Sequence, residues 1–153
     1  MLLGKFYLGL IPFGNKLQSL LLLIIRLCWG WLFFTTGLSK FMDIQSVISY
    51  FTSLGLPMPA LSAYAASSIE LIGGICLFFG VASRLICIPL IGNMTVAFLA
   101  AESAAVVTIF LNPINFITRT PFTFLFVAVL IFVFGPGKIS VDYLLVKFVF
   151  KIK

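Results

Sequence analysis

Three ionisable residues interrupt runs that are otherwise oily: Arg26, Glu70 and Glu102. A charge at the centre of a bilayer costs at least about 2.5 to 3.5 kcal/mol on insertion scales, so each needs a partner or a role. Counting along the apolar segments puts Arg26 about a third of the way through the first and Glu70 near the middle of the second. The two are expected to reach a similar depth and to pair. Asn93, on the third segment, stands at a comparable level and can donate to Glu70, supplying one of the extra hydrogen bonds that a buried ion pair requires. Glu102 lies farther along, near the outer boundary, where Lys40 and Arg119 are its candidate partners. Two polar layers are therefore expected, an intramembrane network of Arg26, Glu70 and Asn93 and an outer layer of Lys40, Glu102 and Arg119. They either hold antiparallel helices in register or serve binding or proton movement. The proton-relay version is the weaker, since Arg26 does not release a proton under ordinary conditions and the chain holds no His.

Other chemistry is absent by residue type. Without His the commonest haem, zinc and copper ligand is missing, and no metal site is expected. Cys28, Cys76 and Cys87 form no CxxC pair and read as small apolar side chains of the spans. No GxSxG, P-loop or HExxH pattern occurs, and the many Ser and Thr have no base beside them to make a nucleophile. No catalytic residue is assigned.

The elements that must carry these residues follow from composition. Of 153 residues 62% are hydrophobic and 9% charged, against roughly 25% charged in a soluble domain. This excludes an ordinary soluble globule and a disordered chain. The net charge of +6 is scattered rather than gathered on one face, which argues against nucleic-acid binding. An all-α, four-helix transmembrane bundle is expected as a single membrane domain over residues 1–153. Its spans are expected near 17–38, 60–81, 85–111 and 114–134, each about the 20 residues that a bilayer requires. The fourth is awkward, because Pro121 suits a first helical turn and the stretch from there to Phe134 is only about 21 Å of helix.

Lys5, Lys16, Arg84, Lys138, Lys147, Lys151 and Lys153 fall on one side of this topology, against Lys40 and Arg119 on the other. Both termini are thus expected in the cytoplasm, with the protein in the inner membrane if the source is bacterial. The apolar run after Lys16 exceeds the roughly 7 to 15 residues of a signal-peptide core and lacks an obvious small-residue cleavage site, so it is read as a retained helix.

Between the first two spans, Ile44, Val47, Ile48, Phe51 and Leu54 recur at helical spacing after Asp43, a possible cap, and before Gly55, Pro57 and Pro59. They predict a short interfacial helix on the outer face. At the far end Leu144, Leu145, Phe148, Val149 and Ile152 share a helical face opposite Lys147 and Lys151, an amphipathic tail for the boundary with anionic lipid. Small residues recur at Gly30 and Gly37, at Ala66 and Gly74 around Glu70, and at Ala97, Ala101 and Ala105. Spacing of four puts the last two sets each on one face, where helices can pack closely.

Taken in order, Arg26, Gly30, Phe33, Gly37 and Lys40, then Gly55-Leu56-Pro57, then Glu70-Leu71-Ile72-Gly73-Gly74 to Gly80 and Arg84, and last Gly135-Pro136-Gly137-Lys138-Ile139-Ser140-Val141-Asp142, resemble the DoxX family of small four-helix membrane proteins. The resemblance covers about residues 20–145. It implies an integral membrane protein with Arg26, Lys40, Glu70 and Arg84 at recurrent polar positions and a Gly-Pro-Gly turn after the last span. It also implies an association with quinone-linked oxidoreductase systems. The leading expectation is an accessory subunit or assembly partner of such a system, not catalytic alone, with no cofactor ligand of its own and a quinone or lipid headgroup held at the Arg26 and Glu70 layer. Redox-complex subunits or further copies of the chain are the expected protein partners. The alternatives are a small-solute transporter or channel subunit, which would need an oligomer to enclose a path, and a structural membrane chaperone.

Overall fold

In the computed structural model the backbone is described over residues 2–148 and the side chains from Leu17 to Phe148. Eight helices follow one another: α1 (Leu2–Met42), α2 (Ile44–Ser53), α3 (Pro59–Phe79), α4 (Ser83–Ala101), α5 (Ser103–Val107), α6 (Pro113–Ile117), α7 (Thr120–Phe134) and α8 (Val141–Phe148). No strand occurs among the described residues. Among the described residues three apolar stretches are long enough to cross a membrane, Leu17–Met42, Pro59–Phe79 and Ser83–Ala101. With the shorter α7 they make an all-α transmembrane bundle.

The bundle is two tight pairs, α1 with α3 and α4 with α7, closed by contacts of α3 with α4 and of α1 with α7. Glycine sets the first pair. A Cβ on Gly30 would stand 2.7 Å from the Phe78 backbone nitrogen, and one on Gly37 would run into the Leu71 backbone. Gly74 in turn meets the backbone of Phe34 and the Gly30 carbonyl. In lipid, where apolar burial gives helices little reason to associate, such close approach is what holds them together. It also fixes the register, placing Gly30 beside Gly74 and Phe78, and Gly37 beside Glu70 and Leu71.

The short α2 carries the expected amphipathic pattern. Ile44, Val47, Ile48, Phe51 and Leu54 are half-buried while Gln45, Ser46, Ser49 and Tyr50 are exposed. The Asp43 carboxylate accepts from the Ser46 backbone N–H at 3.4 Å, capping the helix.

Two elements differ from the sequence reading. The helix expected over 85–111 ends at Ala101; Glu102 leaves helical geometry (φ −122°, ψ 30°), and the short α5 follows. Asn112 then caps α6 ahead of Pro113, so the span does not continue to 111. The helix expected over 114–134 begins at Thr120, preceded by extended backbone at Arg119. Pro121 has no N–H to give to a preceding turn, and its ring would strike that turn's carbonyl. α7 is therefore 15 residues long, about 22 Å. Phe116 anchors α6 between Phe98 and Phe122, with ring centroids at 4.8 and 5.2 Å.

After α7, Gly135 and Gly137 adopt positive φ (79° and 80°) and turn the chain back beneath the bundle. The Ser140 hydroxyl accepts from the Tyr143 N–H at 3.1 Å and starts α8. The amphipathic tail is helical through Phe148; Val149, Lys151 and Ile152 lie outside the described residues.

Candidate functional site

Arg26 and Glu70 do not meet. The glycine register sets Arg26 level with Gly80 and Glu70 level with Gly37, a separation of about 16 Å along α1. The depth estimate failed because it counted from the ends of apolar runs, and α1 continues far beyond its run at one end. Instead the Arg26 guanidinium donates to the carbonyls of Pro136 and of Ile139, the latter at 3.0 Å. Both belong to the turn that closes the bundle.

That end of the molecule is a sealed clasp. Arg26 is 1% exposed, and a Cβ on Gly80 would run into its guanidinium. Glycine is thus required there twice over, for this approach and for its φ of 71°. The Asp142 carboxylate accepts from the Ala82 and Ser83 N–H groups at 2.7 and 2.8 Å, and the Asp142 N–H donates to the Gly80 carbonyl at 2.9 Å. Asp142 thereby caps α4 and ties the closing turn to the α3–α4 connection. Sequence reasoning quoted this residue without giving it a task. The signal was the Ser140–Asp142 pair standing just after the Gly-Pro-Gly turn.

Glu70 sits at the other polar layer. Its carboxylate is ion-paired with Lys40, and Asn93 donates to the same oxygen at 3.0 Å. Three helices, α1, α3 and α4, meet at this one group. Lys40, expected in the outer layer, therefore belongs to the Glu70 network. Glu102 and Arg119 do pair, at 3.3 Å, and Arg119 is steadied by the Asn115 side-chain oxygen at 2.7 Å.

Between the two layers lies a dry plug. Phe33, Leu77, Leu90 and Ile131 are fully buried, one from each main helix, and Cys87 packs with them. Phe124 closes on Phe33 edge to face at 4.5 Å. Trp29 packs against this plug, and its buried indole N–H has no hydrogen-bond partner among the described residues.

Glu70 is 2% exposed, but Lys40 is one-third exposed on its far side, and there a cavity opens. It holds about 570 Å³ and lies between α2, the 54–57 connection, the end of α4 and the start of α7. Tyr50, Phe51, Ala97, Ala100 and Pro121 form apolar walls, while Lys40 and Glu102 supply charge. A second space of about 190 Å³ shares Lys40, Ala97 and Pro121 with it and reaches Glu70. The cavity exists because α4 stops at Ala101 and α7 starts only at Thr120, leaving the fourth corner of the bundle low. The small residues at 97 and 101 thus line space rather than only packing a helix; Ala105 is buried.

Apolar walls with a few convergent polar groups in a volume of several hundred Å³ describe a small-molecule site. The chain is thus a helical integral membrane protein with a polar cluster beneath a pocket at one end. It belongs to the DoxX family, whose sequence pattern matches residues 21–103. That match contains Arg26, Lys40, Glu70, Arg84, Asn93 and Glu102, and stops before α7 and the closing turn. A protein of Bacillus subtilis (strain 168) named "Putative oxidoreductase CatD" is 43% identical over 72 residues, 47% of this chain and 52% of that protein. The chain spans about half the length of this relative. No solved structure matches it.

Proposed function

We propose that this protein is a membrane subunit of a quinone-linked oxidoreductase system, without catalysis of its own, and that its cavity receives the quinone ring. The observation that carries this reading is the Lys40 ammonium, held by buried Glu70 and presented to an apolar cavity of about 570 Å³. A quinone is an apolar ring with two carbonyl acceptors; Lys40 would donate to one of them while Tyr50 and Phe51 lie against the ring. Glu70, fixed by Asn93, keeps Lys40 aimed. When bound, the quinone supplies the electron-carrying chemistry that the chain lacks. The relative named an oxidoreductase points the same way, and the plug between the polar layers argues against a solute path through a single bundle. The excess of Lys and Arg at the closing-turn end supports an inner membrane placement with that end in the cytoplasm.

Titration of the purified protein with a short-chain benzoquinone, followed by tryptophan fluorescence, is expected to saturate, and Lys40→Met is expected to weaken binding at least about tenfold. Purification in mild detergent is expected to bring along a flavin- or haem-bearing partner. A wild-type protein that binds no quinone and carries no redox partner would overturn the reading.

A further inference from the structure

The closing-turn end holds a further concavity, separate from the quinone pocket, and among the described residues the charged groups on its walls are Arg84 and Asp142. This open groove of about 460 Å³ runs between the first turn of α4, the Pro136–Gly137 backbone and α8, walled by Leu85, Tyr143, Leu145 and Val146.

Its two charges are not equivalent. Both Asp142 oxygens accept short backbone hydrogen bonds from Ala82 and Ser83, so this carboxylate is committed to the α4 cap. Arg84 lies exposed over Gly135, with one long hydrogen bond, 3.5 Å to the Val133 carbonyl. Among the described residues no carboxylate pairs with it. The groove therefore offers a guanidinium with most of its donors free, a geometry suited to two phosphate oxygens at once. Lys138 and Lys147 are exposed on the adjoining turn and helix and add to the positive field.

The flanks say what kind of phosphate fits. Leu85 and, one turn further along α4, Ile88 are 69% and 56% exposed, and Phe134 on α7 is 58% exposed. In a membrane-spanning bundle these faces meet acyl chains, directly below a basic groove at the helix end. α8 closes the other side with Leu144, Leu145 and Phe148 exposed and Lys147 among them, a helix made to lie in the interface. A free anion would use the guanidinium but none of this apolar surface.

We infer that the groove between α4, the closing turn and α8 is a binding site for one anionic phospholipid, its phosphate on Arg84 and its acyl chains along Leu85 and Ile88. The lipid would join the end of α7 to the start of α4 and seat α8 on the membrane. Recognition by charge at such a place follows from the attraction of basic juxtamembrane groups for anionic lipid.

The test is native mass spectrometry of the full chain, released from nanodiscs of equal phosphatidylglycerol and phosphatidylcholine, with melting temperature measured on adding either lipid. The wild type is expected to retain phosphatidylglycerol about fivefold over phosphatidylcholine and to melt higher with the former only. Arg84→Gln is expected to abolish the preference while circular dichroism stays unchanged, and Arg84→Lys to keep most of it. Val146→Asp, which sets a carboxylate in the groove without touching Arg84, should also remove it. Lys138→Gln should not. No preference in the wild type, or a preference in Arg84→Gln or Val146→Asp as large as in the wild type, would overturn the site. Displacement of the lipid by millimolar inorganic phosphate alone would show an anion site and overturn the lipid.

Discussion

The two polar layers use the same kinds of residue for opposite ends. At the closing-turn end, one buried arginine is consumed by backbone carbonyls and one aspartate by backbone N–H groups, and a glycine leaves no room beside them. At the α2 end the charges pair with each other through side chains, and two of them, Lys40 and Glu102, also border a cavity. A charge tied to backbone has no freedom to meet a ligand, whereas a charge tied to another side chain keeps a solvent-facing side. The first arrangement serves the fold and the second leaves a charge able to serve a site, though residue type alone makes them look alike.

The sharpest way to break this contrast is to remove Arg26. Arg26→Leu strands the Pro136 and Ile139 carbonyls and should cost about 3 kcal/mol or more, read as thermal unfolding in mild detergent. In a double-mutant cycle, Arg26→Glu with Glu70→Arg should show no recovery, because these side chains never meet. Recovery would restore the single-network picture. Gly74→Ala forces a methyl group into the Phe34 backbone and should cost about 1 to 3 kcal/mol, with α1 and α3 parting first.

At the open end the losses shift from stability to binding. Glu70→Gln should cost about 1 to 2 kcal/mol, since Lys40 can turn to water, while quinone titration weakens more than stability does. The reversed pair, Lys40→Glu with Glu70→Lys, should regain stability but not ligand. Asp142→Asn tests the clasp more gently, with about 1 kcal/mol from a weakened cap. Glu102→Gln is the smallest change: its pair with Arg119 is partly exposed, so under about 1 kcal/mol is expected.

Much of this could be read in the sequence, for reasons that differ by element. The face of α2 was legible because five apolar residues at helical spacing admit one solution. The late start of the fourth span was announced by Pro121. The Glu70–Asn93 contact followed from two polar groups at one level on neighbouring spans. The partner of Glu70 was misread because hydropathy locates a span to within several residues, and a shift of that size changes which charge stands opposite. The better ruler was present in Gly30, Gly37 and Gly74, whose backbone contacts fix the register, but small residues reveal a close approach only once it is known which helices are paired. The cavity was not legible, since it is made by one helix ending early and another starting late rather than by a residue motif.

The bond from Arg26 to the Pro136 and Ile139 carbonyls spans 110 and 113 positions of chain. Ribosomes add about 5 to 20 residues each second, so the arginine is made on the order of 5 to 20 s before its acceptors. Throughout that interval the nascent first helix carries an unsatisfied cation. Insertion of this chain therefore ends on a latch, one that a product cut short before position 136 has no acceptors to close.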